Sequence, residues 1–265
     1  MKTSEIYAQR PRLLSALVLA LALVGTLTGC GQRAPSKLKI IGGIAVEEND
    51  PIASRVAALV TSKHVVQCTV AALGPSTFIT AAHCIYGKKL EGWTIESGLR
   101  AGDGESLPVL SGEIHTKYDP ASMRTLSPDL PPNDIAIIKT SEPTRSIIPV
   151  PIIRKDLRHL TRPALKVTVA GYGRTDGLDP ESTGTLQKVV LAISSFNKDA
   201  HEFTTISDEG KMACHVDSGG PAFMYIGKEL TLVGTISRGD RSCTSGSTVF
   251  TDISQFREFV SEFHD

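Results

Sequence analysis

Aromatic side chains are scarce in this chain, where Phe, Trp and Tyr together make up 5% of the residues. A net charge is also absent, because 28 Lys and Arg residues balance 28 Asp and Glu residues. A chain without a basic excess is poorly suited to holding nucleic-acid phosphates, so we expect no nucleic-acid partner. Glycine and proline are frequent instead, with 23 and 15 residues. This composition favours many short strands and turns over long helices.

The sequence also lacks an apolar run long enough to span a membrane as a helix. Its longest run, Leu13 to Leu27, has about 15 residues, whereas a spanning helix needs roughly 20. Basic residues precede this run and small residues end it, which is typical of a secretory signal, with an uncleaved membrane anchor as the alternative. The sequence Leu27-Thr28-Gly29-Cys30 resembles the lipobox of bacterial lipoproteins. We therefore expect residues 1–29 to be a lipoprotein signal peptide, with lipid on Cys30.

Cysteine is scarce and odd in number, with five residues. If Cys30 carries lipid, four cysteines remain, an even set that suits disulfides in an exported protein. Zinc is the competing use, but no two of the four form a C-x-x-C pair, so we expect no metal and no cofactor. The four are Cys68, Cys84, Cys214 and Cys243.

Short apolar runs alternate with turns from residue 40 onward and predict an all-β sandwich or barrel. The last segment, residues 254–264, differs because its apolar residues recur at helical spacing, with Ser254 as the expected N-cap. The predicted strands lie at 55–60, 69–73, 77–82, 134–139, 165–170, 185–193, 230–237 and 247–253.

Three stretches contain the residue types of nucleophilic catalysis, in the chain order His, Asp, Ser. They are Thr80-Ala81-Ala82-His83-Cys84, Asn133-Asp134-Ile135-Ala136 and Asp217-Ser218-Gly219-Gly220-Pro221. Each alone has an ordinary interpretation as a surface histidine, a turn or a loop. Together they resemble the trypsin/chymotrypsin family of serine endopeptidases.

Further motifs extend this resemblance from residue 40 to the end of the chain. It implies an all-β fold of two six-stranded antiparallel β-barrels, at about 40–148 and 149–253, with a short C-terminal helix at about 254–264. The active site would lie between the barrels. The supporting segments are 39–43 (KIIGG), 171–173 (GYG), 186–189 (LQKV), 234–239 (GTISRG) and 249–251 (VFT), together with the sixteen-residue spacing of Cys68 and Cys84.

The resemblance also implies roles for individual residues. His83 would be the general base, Asp134 would orient it, and Ser218 would be the nucleophile that forms an acyl-enzyme with a peptide or protein substrate. The backbone N–H groups of Val216 and Ser218 would form the oxyanion hole. The implied disulfides are Cys68–Cys84 and Cys214–Cys243.

Activation would follow the family's pattern, in a chain that we expect to act as a monomer. A trypsin-like protease would cut after Lys39, so residues 30–39 would be a prosegment and 40–265 the protease domain. The new ammonium of Ile40 would pair with Asp217. Because Cys30 is the prosegment's only cysteine, no disulfide would retain it, and the cut would release a lipid-anchored protease from its membrane.

The substrate pocket departs from that of trypsin-like enzymes. Met212 stands at its expected base, where a thioether offers no charge to a substrate Arg or Lys, and Thr248 replaces a wall glycine. We expect a shallow apolar pocket for small or medium uncharged residues, with Arg238 favouring acidic groups further out and His215 contacting substrate. The pocket set is Met212, Ala213, His215, Ser237, Arg238, Gly239 and Thr248.

Val216 is the main departure from the pattern, because the family has glycine there. If the position needs a positive φ, valine is strained and its N–H could point away from the substrate. Thr69-Val70 likewise replaces two glycines after Cys68. The alternative function is therefore a protease-like surface protein that binds partners with weak or no catalysis. A purely structural lipoprotein would explain only the first thirty residues.

Overall fold

The computed structural model describes residues 40–123, 132–160, 165–175 and 179–263. Their architecture is two six-stranded antiparallel β-barrels, as the sequence predicts. None of the helices in these ranges is long and apolar enough to cross a membrane. The predicted signal peptide, lipidation site Cys30 and cleavage residue Lys39 lie outside the described residues.

The first barrel closes in the order β2-β3-β4-β7-β6-β5. A single helical turn, α1, follows β4 at Ala82–Ile85. The strands are β2 Val56–Val60, β3 Val66–Gly74, β4 Thr77–Thr80, β5 Thr94–Glu96, β6 Ser106–Ile114 and β7 Ala136–Thr140.

The second barrel joins β8 through β13 in a ring that the β8–β9 pairing closes, and the short strand β1 (Ile44–Ala45) pairs with β9 outside it. A five-residue helix, α2 (Arg257–Ser261), follows. The strands are β8 Lys166–Gly171, β9 Gln187–Asn197, β10 Glu202–Ile206, β11 Pro221–Ile226, β12 Glu229–Gly239 and β13 Ser247–Asp252.

Strand β2 shows why its sequence reads as an unbroken apolar run. Side chains alternate across a strand, and Val56, Ala58 and Val60 join a cluster that also contains residues of the second barrel. Ala57 and Leu59 join a separate cluster within the first barrel. Both faces of β2 are therefore buried.

The C-terminal segment differs from the predicted continuous helix at 254–264. A 3₁₀ turn, Ile253–Gln255, precedes α2, and the side chain of Asp252 caps that turn by accepting from the amide of Ser254. Ser254 therefore does not cap α2; its hydroxyl instead accepts from the amide of Leu157, 3.1 Å away. The helical spacing of the phenylalanines correctly predicts a helix in this segment. Ser254, however, accepts a hydrogen bond from Leu157 instead of capping that helix.

Two histidines lie against this segment. His115 and His201 are half-buried, and their rings lie edge-on to Phe256 at centroid distances of 5.2 and 5.6 Å. Burial lowers the pKa of both imidazoles. Because the neutral ring is apolar enough to pack on phenylalanine, both are part of the packing beneath α2.

Candidate active site

His83 lies in α1, directly after β4 ends at Thr80. Its backbone amide donates to Oδ1 of Asp134 at 2.9 Å, and its ring Nδ1 lies 2.7 Å from Oδ2 of the same carboxylate. Two contacts to one carboxylate fix both the backbone and the ring. The ring Nε2 has a long contact of 4.0 Å to Sγ of Cys84, and 28% of the side chain is exposed.

Asp134 is fully buried, so its charge depends on hydrogen bonds. Besides the two from His83, its Oδ2 accepts from the hydroxyl of Ser237 at 2.7 Å, and its carbonyl accepts from the hydroxyl of Thr251 at 3.0 Å. Burial alone would raise the pKa of Asp134, but the charge and hydrogen bonds of His83 and the hydroxyl of Ser237 hold it below its ordinary value. The carboxylate is therefore ionised at neutral pH.

The same pair sets the pKa of His83. Burial lowers the pKa of the imidazole, but the charge and hydrogen bond of Asp134 outweigh this and leave it above its ordinary value. An imidazole with a raised pKa takes up a proton readily, and the neighbouring carboxylate of Asp134 stabilises the imidazolium that forms. This is the behaviour of a general base.

Ser218 lies on the loop that leads into β11, in the same cleft as His83. The loop is held from three sides: Ser218 accepts from the amide of Thr69 at 2.9 Å, Gly219 donates to Ile236 at 2.7 Å, and Gly220 donates to Asp217 at 2.8 Å. Gly219 has φ 77°, and a Cβ there would overlap the hydroxyl of Thr80. The D-S-G-G run thus requires its first glycine.

Ser218 and His83 are not hydrogen-bonded to each other, nor does the Ser218 hydroxyl bond any other described residue. Catalytic hydrogen bonds are often long in a free enzyme and shorten when substrate arrives. The cleft that both residues line has a volume of about 620 Å³. The geometry therefore brings the predicted nucleophile and base to one cleft without joining them.

Val216 has φ 75°, in the left-handed region where a β-branched residue is a clear outlier. Across the described ranges, neither its backbone N–H nor that of Ser218 bonds to another group. Two free amides beside a serine hydroxyl are the components of an oxyanion hole. Glycine adopts a positive φ without strain. Val216 therefore has the backbone conformation that suits the family's glycine at this position.

Asp217 is also fully buried, and it accepts only from backbone amides, those of Gly173 at 2.8 Å and Cys214 at 2.9 Å. No cation among the described residues neutralises it. Burial consequently raises its pKa to about 7. A Cβ at Gly173 would overlap the carboxylate, which explains the second glycine of the Gly171-Tyr172-Gly173 motif.

The predicted pocket residues divide into two groups. Ala213, His215, Ser237, Arg238 and Gly239 line the cleft. Met212 and Thr248 are fully buried behind it. The Met212 methyl lies beneath Gly239, 3.3 Å from where a Cβ would stand, and the Thr248 hydroxyl accepts from the amide of Ala213 at 3.1 Å.

Arg238 differs from the expectation of a free positive charge. Its guanidinium is paired in bidentate fashion with Glu202 of β10, with Nη2 2.8 Å from Oε2. Glu202 is 4% exposed and the Arg238 side chain 21%. The charge is therefore already compensated, and the inferred preference for acidic groups loses its physical basis. The sequence could not reveal Glu202, because the partner lies 36 residues away on another strand.

The family model described as Trypsin matches residues 40–260, which includes every residue of this site. The chain belongs to the trypsin family of serine proteases.

The similarities to individual proteins are consistent with this assignment. A chymotrypsin of Phaedon cochleariae is 30% identical over 199 residues, 69% of this chain and 66% of that protein. A venom serine protease of Polistes dominula is 27% identical over 248 residues, 87% of this chain and 86% of its own. A venom peptide isomerase heavy chain of Agelenopsis aperta is 27% identical over 227 residues, 74% of this chain and 86% of its own.

Both disulfides implied by the family are present. Cys68–Cys84 and Cys214–Cys243 have Cα separations of 6.1 and 5.5 Å. The first fixes α1 to β3, and the second joins the nucleophile loop to the segment after β12. Because all four cysteines are bonded in pairs, their thiolates are not available as zinc ligands.

Proposed function

We propose that this trypsin-family chain is a serine endopeptidase that hydrolyses peptide bonds through an acyl-enzyme. The observation that carries the proposal is the buried Asp134 carboxylate, which holds both His83 and Ser237 in the cleft that contains Ser218. A buried charge with three designated donors is costly to maintain unless the orientation of its partner matters. Here that partner is His83, whose imidazole lines the same cleft as the serine.

The chemistry follows from these contacts. His83 removes the proton of Ser218 as its hydroxyl attacks the substrate carbonyl, and Asp134 stabilises the resulting imidazolium. The amides of Val216 and Ser218 donate to the oxyanion. His83 then protonates the leaving amine, and water hydrolyses the acyl-enzyme by the same base.

The primary pocket favours small or medium uncharged side chains. Met212 fills the space beneath Gly239 with its methyl group, and Ala213 forms the nearest lining. No carboxylate lines this part of the described cleft except Asp240, whose oxygens accept from the loop amides of Ser242, Thr244 and Ser245. A digest of unfolded protein whose cleavages fall mainly after Arg or Lys would contradict this pocket.

Activation by cleavage after Lys39 is supported by the state of Asp217. Its carboxylate is buried without a cation among the residues that the structure describes, and Ile40, which precedes strand β1, is fully buried. An ammonium freed at Ile40 would supply the missing charge and order the loop that carries Val216. We propose that the activator is a separate trypsin-like protease, because a pocket closed by Met212 does not accept Lys39.

Export is supported by two disulfides in a small domain. We further propose that Cys30 anchors the uncut chain through lipid and that the cut releases the protease. Fractionation of producing cells tests this directly. An activated form that begins at Ile40 and remains in the membrane fraction would contradict release.

The experiment for the function itself is a turnover assay. The chain cut after Lys39 should hydrolyse unfolded protein, and the matched Ser218→Ala chain should not. The Ala variant keeps the loop's backbone contacts, so loss of turnover reports the hydroxyl. No turnover by the cut chain would favour the alternative, a protease-like binding protein.

A further inference from the structure

Thr69 occupies a β3 position where the family's pattern has glycine, and its side chain reaches the oxyanion loop. The residue is fully buried. Its hydroxyl accepts a hydrogen bond from the amide of Tyr172 at 3.1 Å and donates to the carbonyl oxygen of Val216 at 3.2 Å. A glycine could make neither contact.

These contacts matter because Val216 is held in an unfavourable backbone conformation. The peptide before it is fixed by the carbonyl of His215, which accepts from the amide of Arg174 at 2.9 Å. The peptide after it is fixed at its N–H, which Asp217 donates to Cys214 at 3.1 Å, and at its carbonyl by Thr69. Hydrogen bonds on both sides thus maintain φ at 75°.

The N–H of Val216 belongs to the first of these peptides, and it is one of the two oxyanion donors. A valine at this φ relieves strain by rotating toward an ordinary φ, which would turn that N–H away from the substrate. Glycine has no such tendency. The loop therefore needs an additional restraint when its glycine becomes valine.

We propose that Thr69 is a positioning residue whose hydroxyl holds the Val216 amide in the oxyanion hole. The two departures from the family's glycines then compensate each other: Val216 introduces strain, and Thr69 supplies the bond that resists it. The proposal rests on the proposed function, because it assigns this amide to catalysis.

Variants at position 69 separate the hydroxyl from the packing. Thr69→Val keeps the shape and the bonds of its own backbone, namely the amide to Ser218 at 2.9 Å and the carbonyl that accepts from Thr80 at 3.0 Å, and it loses both hydroxyl bonds, to Tyr172 and to Val216. Thr69→Ser keeps the hydroxyl. A merely structural role would give both variants a similar stability loss without a selective effect on kcat.

Kinetics on the full chain cut after Lys39 form the first test. Thr69→Val should lower kcat about tenfold, the worth of one buried hydrogen bond, with KM unchanged, and Thr69→Ser should stay near wild type. In a Val216→Gly background the same Thr69→Val change should cost less than about threefold, because the strain is gone. The proposal would be overturned if Thr69→Val left kcat unchanged in the wild-type background. It would also be overturned if Thr69→Val lowered kcat as much in the Val216→Gly background as in the wild type.

A second measurement does not depend on turnover. In the Ser218→Ala chain labelled with ¹⁵N-valine, the Val216 amide resonance should shift or broaden with Thr69→Val and not with Thr69→Ser. An unchanged resonance would overturn the positioning role even in an active protease. A shifted resonance, together with no turnover by the cut chain that retains Ser218, would instead leave the positioning role standing and contradict the proposed function.

Discussion

Val216→Gly is the substitution that reports most directly on strain in the oxyanion loop. Holding a non-glycine residue in the left-handed region costs roughly 1–3 kcal/mol, and Val216 lies there with φ 75°. Glycine would remove that cost but lose about 0.5–1 kcal/mol through the greater entropy of the unfolded chain. We expect a net stabilisation of about 0–2 kcal/mol, or a few degrees in Tm.

Urea unfolding in a Ser218→Ala background measures this without self-digestion. Val216→Ala is the matched control, because it removes the β-branch and keeps the penalty of positive φ; its stability should fall below that of the glycine variant. A glycine variant that is less stable than wild type by more than about 1 kcal/mol would refute the strain argument.

Kinetics of the same variant separate the two candidate functions. If the Val216 amide already faces the substrate, Val216→Gly should change kcat by no more than a few-fold. If valine turns the amide away, glycine should restore a lost donor and raise kcat on the order of 10²–10³. The second result would support a protein whose loop had lost efficient catalysis.

Three further predictions follow from the charges around the cleft. Asp134→Asn should lower kcat and move the acid limb of the kcat/KM profile to lower pH, because burial and the charge of Lys88, which both lower the pKa of His83, are then unopposed. Asp217→Asn should flatten the pH dependence of stability in the uncut chain: the pKa of Asp217 is raised to about 7, so the native state binds the extra proton and stability falls as pH rises from about 4 to about 7. Glu202→Gln should free the charge of Arg238 and raise the cleavage of peptides with acidic residues beside the primary site.

Each of these has its own control and contrary result. The pH profile of kcat/KM should be recorded against Ser237→Ala, which removes a donor from Asp134 and leaves the carboxylate charge. An acid limb that stays in place would contradict the assignment of His83. An unchanged unfolding slope would contradict the buried, uncompensated Asp217. Peptide-library profiles that do not shift with Glu202→Gln would show that Arg238 does not face substrate.

The sequence predicted the barrels well because strand periodicity and ordered motifs are local signals. All eight predicted runs overlap observed strands. Five strands have no predicted counterpart: β1 has two residues, β5 has three, β6 contains Pro108 and Gly112, β10 carries the buried Glu202, and β11 begins at Pro221. Such features make a strand hard to recognise from its own sequence. These segments form strands here because they pair with neighbouring strands.

At the site, the sequence located the residues that bear chemistry but not the contacts that support them. Ser237 was read as a pocket residue, yet its hydroxyl bonds the buried Asp134. Thr69 was noted only as a replacement for a family glycine, yet its hydroxyl bonds the loop of Val216. Both partners lie more than 100 residues away in the chain, a distance over which no local pattern carries information. The sequence likewise does not show whether φ is positive at Val216; the structure gives a φ of 75° there.

Labelling with a fluorophosphonate probe tests the central claim most directly, because the probe bonds only to an activated serine hydroxyl. The chain should be treated before and after cleavage at Lys39, with Ser218→Ala as the control, and the adduct mapped by mass spectrometry. Our account predicts modification at Ser218, strong only after the new N-terminus at Ile40 forms, and none in the Ala variant. An unlabelled Ser218 in the cut chain would contradict it.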